Sequence, residues 1–172
     1  EISATESSQG VMALVRPPAW EIDHVFRGQS LVVIIDGLQD PGNAGAILRA
    51  AEAFGATGAI FLKGSVSPYN PKAIRASAGS VFRLPIVTAF DENIACATLD
   101  QKRVDSYAAM PSGLKTLAEV DLTRRCAIVI GSEGRGVSTK VRSVAHDLRV
   151  PTTNVESLNA AMAAGILLYE AR

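Results

Sequence analysis

The segment GSEGRG at residues 131–136 carries the residue types of a ligand-binding loop. Its glycines allow a ligand to approach the backbone closely, and Glu133 supplies a carboxylate that can orient a neighbouring cation. The order of the glycines differs from the G-x-G-x-x-G pattern of dinucleotide sites. Spacing alone therefore leaves two interpretations open, a ligand-binding loop and an ordinary glycine-rich turn.

A second set of polar residues lies in the segment DPGNAGAILRAAEAFG, residues 40–55. At helical periodicity its apolar residues share one face, and Arg49 lies opposite that face. This position favours a solvated arginine paired with Glu52, three residues further on. Asn43 is equally well explained as a turn residue, so periodicity assigns neither residue to a site.

The end of the chain, residues 158–169, is apolar nearly all round except for Asn159. A helix without a polar face is normally buried on every side, and a buried amide without partners costs about 1–3 kcal/mol. We predict that Ser157 is the N-cap of this helix. Asn159 would then lie in the first turn and face a polar pocket.

The remaining candidate groups are cations, histidines and thiols. The basic residues in or near the predicted loops are Lys63, Lys72, Arg75, Arg83 and Arg135. Phosphate contacts are one interpretation of them, and a scattered solvated surface is the one that spacing favours. His24 and His146 lack metal-ligand spacing, and Cys96 and Cys126 do not make a metal site. A Cys–His pair for nucleophilic catalysis stays open, without a local signature.

Predicted strands alternate with predicted helices along the chain, and these elements must position the candidate residues. The alternation indicates an α/β domain with a mostly parallel sheet flanked by helices. The predicted strands are 31–36, 58–62, 84–89, 104–110, 126–131 and 148–150. The predicted helices are 41–54, 71–79, 91–102, 138–145 and the last one. Ligands of such sheets bind beyond the carboxyl ends of strands, which here precede the loops 37–43, 63–70, 109–113, 131–137 and 151–157.

Composition excludes several classes of protein. The chain has 172 residues, 48% of them hydrophobic, which is enough for one domain with a core. No apolar run approaches the roughly 18 residues of a membrane span, and no signal peptide is visible. We therefore expect a cytoplasmic protein without a membrane partner. The formal net charge of zero argues against a large RNA footprint on this chain.

Three long motifs, in order, resemble the SpoU (TrmH-like) family of RNA ribose 2′-O-methyltransferases in the SPOUT superfamily. They are DGLQDPGNAGAILRAAEAFGA (36–56), IVIGSEGRGVS (128–138) and VPTTNVESLNAAMAAGILLYE (150–170). The resemblance runs from about Gly10 to Arg172. It implies a sheet whose C-terminal part forms a deep trefoil knot, a departure from the ordinary rules of chain connection, and a knot that binds S-adenosylmethionine.

The resemblance also implies roles for particular residues. The residues matched to cofactor binding are Gly131, Gly134, Val150, Leu158, Ala109 and Met110, the last two near the methionine end. The residues matched to the family's catalytic polar groups are Asn43, Arg49, Glu133, Ser157 and Asn159. The residues left to hold RNA phosphates are Lys63, Arg75 and Arg135, and no metal is expected.

The implied chemistry is the transfer of a methyl group from a sulfonium to a ribose hydroxyl, which must lose its proton. An arginine with a pKa above about 12 is a poor base. Positioning of the ribose and phosphate is therefore the role we expect for Arg49, although a role as base stays open. Family members are obligate dimers, in which Arg49 of one subunit is thought to work beside the cofactor of the other.

Ribosomal RNA is the substrate we expect. One alternative is the same reaction on a transfer RNA, and another is a catalytically silent knot that only binds RNA. A nicotinamide dehydrogenase is excluded because the chain lacks the G-x-G-x-x-G pattern. We interpret residues 1–10 as a linker from a missing N-terminal RNA-binding domain, and residues 11–172 as the methyltransferase domain. The chain alone should then bind RNA weakly, because RNA affinity rests largely on phosphate neutralisation.

Overall fold

One parallel sheet organises the part of the chain that the computed structural model describes, residues 13–172. Its strands are β1 Leu31–Asp36, β2 Gly58–Leu62, β3 Ile86–Phe90, β4 Asp105–Ala109, β5 Lys115–Thr116, β6 Cys126–Gly131 and β7 His146–Arg149. Their order across the sheet is β3-β2-β1-β6-β4-β7-β5, and neighbouring strands run parallel. The predicted fold class is confirmed, whereas the trefoil knot stays a prediction. The proposed linker, residues 1–10, lies outside the described residues.

The centre of the sheet is built by β1 and β6. Every residue of both strands is buried. They pair in register from Leu31 opposite Cys126 to Asp36 opposite Gly131. Their carboxyl ends therefore lie side by side, and the loops that follow them must meet at that edge of the sheet.

Helices cover both faces of the sheet. They are α1 Ile22–Val25, α2 Pro41–Ala53, α3 Pro71–Ala76, α4 Glu92–Lys102, α5 Thr139–Arg142 and α6 Ala160–Glu170, with 3₁₀ turns at Ser80–Phe82 and Leu117–Glu119. The core on one face joins α2 and α6 to the side chains of Val33 and Ile35. The core on the other face joins α1, α4 and α5 to Val32 and Ile34. This alternation of side chains along β1 explains why the strand is apolar throughout.

Local capping signals set the starts of α2 and α4. The Asp40 carboxylate accepts the backbone N–H of Asn43, and Pro41 occupies the first helical position of α2. The Asp91 carboxylate accepts the N–H of Asn93 in the same way. Each cap satisfies a backbone donor that the first turn leaves without a partner.

The predicted elements after β6 are less accurate. The predicted helix 138–145 is only the four residues of α5, and the predicted strand 148–150 instead begins at His146. The Arg142 guanidinium donates to Asp147 through Nε, 2.9 and 3.1 Å from the two carboxylate oxygens, and through Nη2. This ion pair holds a polar strand start beside the end of α5, a contact that apolar periodicity does not show. The sequence analysis also missed α1 and β5.

The last helix differs from its prediction in its first residue and in its burial. It begins at Ala160, so Ser157 is not its N-cap, and Asn159 occupies that position instead. Its buried side chains are Ala164, Leu167 and Leu168. The side chains of Met162 and Tyr169 are 59% and 47% exposed in the single chain, so α6 is not covered on every side. Among residues 13–172, none of the helices could span a bilayer.

Candidate active site

A cavity of about 500 Å³ opens at the carboxyl ends of β4, β6 and β7. Its volume falls in the range of small-molecule sites, about 300–1,000 Å³. The residues predicted for cofactor binding that line it are Ala109, Met110, Gly131, Gly134, Val150 and Leu158. The predicted polar residues that line it are Glu133, Arg135, Ser157 and Asn159. The structure thus brings together residues from three separated segments of the chain.

The glycine-rich segment forms one wall of this cavity as a tight hairpin. Ser132 and Gly136 exchange backbone hydrogen bonds of 3.1 and 2.8 Å. Gly136 has a φ of +68°, which favours glycine. A Cβ on Gly131 would overlap the backbone of Gly136 and Val137. The chain therefore doubles back directly onto Gly131, and this close approach requires a residue without a side chain.

A buried carboxylate that the sequence analysis did not single out closes the hairpin from behind. Asp36 is the last residue of β1, is 8% exposed, and lies opposite Gly131 in the sheet. Its Oδ2 accepts the backbone N–H of Ser138 at 2.7 Å. The two ends of the segment 131–138 are thereby tied to the same point of β1. An acidic residue at the end of a wholly apolar strand was the signal that could have revealed it.

A chain of hydrogen bonds joins the three sequence motifs at the rim of the cavity. Asn43 donates from Nδ2 to Glu133 Oε1 at 2.9 Å, and Asn159 donates from Nδ2 to Asn43 Oδ1 at 3.0 Å. Asn159 Oδ1 in turn accepts the backbone N–H groups of Ala161 and Met162. These bonds fix the orientation of both amides. The chain of bonds runs from the Glu133 carboxylate to the first turn of α6.

The N-cap role of Asn159 gives a first prediction. We expect Asn159→Ala to lower the free energy of unfolding by about 1 kcal/mol, the usual cost of a lost N-cap, as measured by urea denaturation. Asn159→Ser is the matched control, because serine retains a capping oxygen but is too short to repeat the amide bond to Asn43. Equal losses in the two variants would assign the effect to the bond with Asn43 rather than to the cap.

Arg49 lies apart from this cavity. It is exposed on α2 and is not among the cavity's lining residues. It lies six positions after Asn43, which corresponds to about 9 Å along the helix axis. The predicted pair with Glu52 is wrong, because both oxygens of Glu52 bind Arg83, with Nε and Nη2 at 2.6 and 2.7 Å. Among residues 13–172, Arg49 makes no ion pair.

The predicted RNA-binding cations occupy different places. Arg135 lines the cavity in the glycine hairpin. Lys63 follows β2 and forms an ion pair with Asp91 at 3.2 Å. Arg75 is exposed on α3. Only Arg135 of the three is therefore at the cavity itself.

The two thiols are poorly suited to nucleophilic catalysis. Burial raises the pKa of Cys126 to about 12, and burial is also the main cause that raises the pKa of the half-buried Cys96. A thiol is nucleophilic as the thiolate, which is scarce at neutral pH for both residues. Within residues 13–172, no group of three or more His, Cys, Asp or Glu side chains could hold a metal ion.

Comparison with known proteins places these features in one family. The family model described as "SpoU rRNA Methylase family" matches residues 30–169. An uncharacterized tRNA/rRNA methyltransferase of Synechocystis sp., slr1673, is 38% identical over 100% of this chain and 63% of its own length. The 23S rRNA (guanosine-2′-O-)-methyltransferase RlmB of Xanthomonas campestris is 34% identical over 84% of this chain and 59% of its own. The chain thus spans less than two thirds of these relatives.

A solved structure gives the same result. The SpoU methyltransferase AviRb of Streptomyces viridochromogenes, in complex with the cofactor AdoMet, is 32% identical. It superposes with a TM-score of 0.84 over 90% of this chain and 64% of AviRb. The resemblance drawn from the three motifs is thereby confirmed, and the chain belongs to the SpoU rRNA Methylase family, which uses S-adenosylmethionine as its methyl donor.

Proposed function

We propose that this protein transfers a methyl group from S-adenosylmethionine to a ribose 2′-hydroxyl of ribosomal RNA. The observation that carries the proposal is the hydrogen-bonded chain of Glu133, Asn43 and Asn159 at the rim of a cavity walled by a glycine hairpin. The similarity to RlmB, whose name specifies a 23S rRNA and a ribose oxygen, supports the substrate class.

The lining of the cavity fits the proposed cofactor. Gly131 and Gly134 contribute backbone to the lining, and Val150 and Leu158 contribute apolar side chains. Such a mixture of apolar side chains and backbone groups is typical of small-molecule sites. These residues would hold the nucleoside part of the cofactor. Ala109 and Met110 would lie near its methionine end.

When bound, S-adenosylmethionine supplies a methyl group on a positively charged sulfur. The ribose oxygen forms a bond to this methyl carbon, the carbon–sulfur bond breaks to leave a thioether, and the hydroxyl proton passes to solvent or a base. We assign Arg49 to holding the ribose oxygen and an adjacent phosphate, because a guanidinium donates two parallel hydrogen bonds. Asn43, Glu133, Ser157 and Asn159 order the rim at which the ribose would lie.

A homodimer completes this proposal. Arg49 lies outside the cavity of its own chain, so in this proposal a second protomer brings its Arg49 to each cofactor. The exposed apolar side chains Met162 and Tyr169 on α6 lie on a helix beside the cavity, and burial of such side chains favours association. A symmetric dimer would supply two equivalent sites.

We expect sedimentation to give twice the mass of the chain, which is 18.1 kDa for the 172 residues, at micromolar concentration. Met162→Lys, which places a charge on the exposed face of α6, should shift the protein towards the monomer and reduce methyl transfer together with dimerisation. A monomer that retains full activity would contradict both the dimer and the shared site.

The RNA contacts are also part of the proposal. Arg135 lines the cavity and would hold a phosphate near the methyl group, and Lys63 and Arg75 would hold phosphates further from it. Transfer RNA is the alternative substrate, and the name of the Synechocystis relative includes both RNA classes. The presence of Asn43, Arg49, Glu133 and Asn159 argues against a silent RNA-binding module.

Mapping ribose methylation in RNA from cells with and without the gene tests the substrate. The proposal expects one ribosomal 2′-O-methyl group to disappear and to return when the gene is restored. Loss of a methyl group from transfer RNA alone would replace ribosomal RNA by the alternative.

A further inference from the structure

The Glu52 carboxylate is fully engaged by a residue outside its own helix. Arg83 donates to both of its oxygens, through Nε at 2.6 Å and Nη2 at 2.7 Å. Such a two-pronged contact fixes the carboxylate in orientation as well as in distance. The Arg83 hydrogen bond is also the largest cause that lowers the pKa of Glu52, so the carboxylate remains charged near neutral pH.

Arg49 is a second candidate partner for Glu52. Residues three apart on a helix are neighbours on its surface, and Arg49 precedes Glu52 by three positions on α2. Arg49 is nevertheless exposed and without an ion pair among residues 13–172. The carboxylate that could bind it is already occupied by Arg83.

The backbone at Gly79 leaves room for Arg83 in this competing position. Gly79, at a φ of +87°, has no side chain on the surface where the Arg83 guanidinium lies. A Cβ on Gly79 would come 2.8 Å from Arg83 Nη1. Gly79 and Arg83 lie in the segment that follows α3. The backbone of α3 packs closely against α2. A Cβ on Gly45 would overlap the carbonyl oxygen of Ala73.

We propose that Arg83 is a positioning residue that acts through Glu52. By occupying both carboxylate oxygens, it prevents Glu52 from capturing Arg49 and leaves the Arg49 guanidinium available to the RNA. This inference rests on the proposed role of Arg49 in methyl transfer. The ion pair between Arg83 and Glu52 lies away from the cavity, and on this inference it affects the reaction with RNA as well as the stability of the fold.

Kinetics of three variants separate this role from a purely structural one. Arg83→Met retains the apolar stem but frees Glu52 to bind Arg49, so kcat/KM for RNA should fall about two- to fivefold, the range expected for an exposed ion pair. Glu52→Gln removes the competing carboxylate and should have nearly the wild-type kcat/KM. The double variant Glu52→Gln with Arg83→Met should recover that value. A structural ion pair predicts instead that all three variants are impaired alike, and that result would overturn the inference.

A second measurement does not depend on activity. The pKa of Glu52, followed by NMR of its labelled carboxyl group, should remain low in Arg83→Met, because Arg49 replaces Arg83 as its partner. It should rise when Arg49→Ala is added to Arg83→Met. Equal pKa values in these two variants would show that Arg49 does not reach Glu52, and the inference would fail.

The variant Arg49→Ala separates the two proposals. If it retains wild-type turnover, the proposed role of Arg49 in methyl transfer fails, and the positioning role of Arg83 fails with it. If Arg49→Ala loses turnover while Arg83→Met keeps the wild-type kcat/KM, only the positioning role of Arg83 is overturned.

Discussion

Replacement of Arg49 by alanine is expected to reduce the turnover of methyl transfer by about 100-fold or more, the scale on which misplaced substrate slows a reaction. Cofactor affinity should change little, because we assign Arg49 to the ribose and its phosphate, and it does not line the cavity of its own chain. Single-turnover assays with RNA, together with calorimetry of S-adenosylmethionine binding, measure the two effects separately.

Arg49→Lys is the matched variant, since it keeps the charge but not the planar pair of donors. If the role of Arg49 is two-pronged positioning, lysine should restore only a small part of the turnover. Full activity in the lysine variant would reduce the role to that of a simple charge. Wild-type turnover in the alanine variant would remove Arg49 from the site.

The second large effect concerns Gly131. Gly131→Val should weaken S-adenosylmethionine binding by about tenfold or more, comparable to the loss of one to two hydrogen bonds. Any Cβ at this position overlaps the backbone of Gly136 and Val137, so the hairpin must open and its backbone groups move away from the cavity. Calorimetry on the purified protein measures the change in affinity.

Ala97→Val is the control for this substitution, because it adds bulk at an exposed position of α4, a helix that contributes no residue to the lining of the cavity. It should bind S-adenosylmethionine with wild-type affinity. Circular dichroism and thermal unfolding establish whether Gly131→Val is folded. A folded Gly131→Val protein with undiminished affinity would mean that the hairpin does not bind the cofactor.

Much of the sheet and its major helices could be predicted because their signals are local. The segments LVVIID and CAIVIG are apolar throughout and become the buried strands β1 and β6. Asp40 and Pro41 mark the start of α2 through contacts confined to the four residues 40–43. Pattern and propensity are sufficient wherever the neighbouring residues alone determine the structure.

Elements fixed by contacts distant in sequence were harder to predict. Ser157 and Asn159 are both favourable N-caps, and local sequence does not decide between them. The bond from Asn159 to Asn43 selects Asn159, and these residues are 116 positions apart. In the same way, the neighbour rule on a single helix pairs Arg49 with Glu52 but takes no account of Arg83, which lies 31 positions from Glu52.

The candidate site shows the same division. Spacing alone favoured a turn residue at Asn43 and left the glycine segment undecided, and it was the resemblance of three motifs that selected these positions. In the structure, the hydrogen bond of 2.9 Å between Asn43 and Glu133 spans 90 positions of the sequence. Contacts between residues so far apart in sequence follow from the tertiary structure and not from local sequence patterns.

The central claim is that this protein methylates a ribose oxygen of RNA. The most direct measurement supplies the protein with S-adenosylmethionine labelled in its methyl group and with ribosomal RNA, digests the RNA to nucleosides, and identifies the labelled product by mass spectrometry. We predict a single labelled 2′-O-methylnucleoside that is nearly absent when Arg49→Ala replaces the wild-type protein. Label on a nucleobase, or an equal yield of labelled product with Arg49→Ala, would contradict the account.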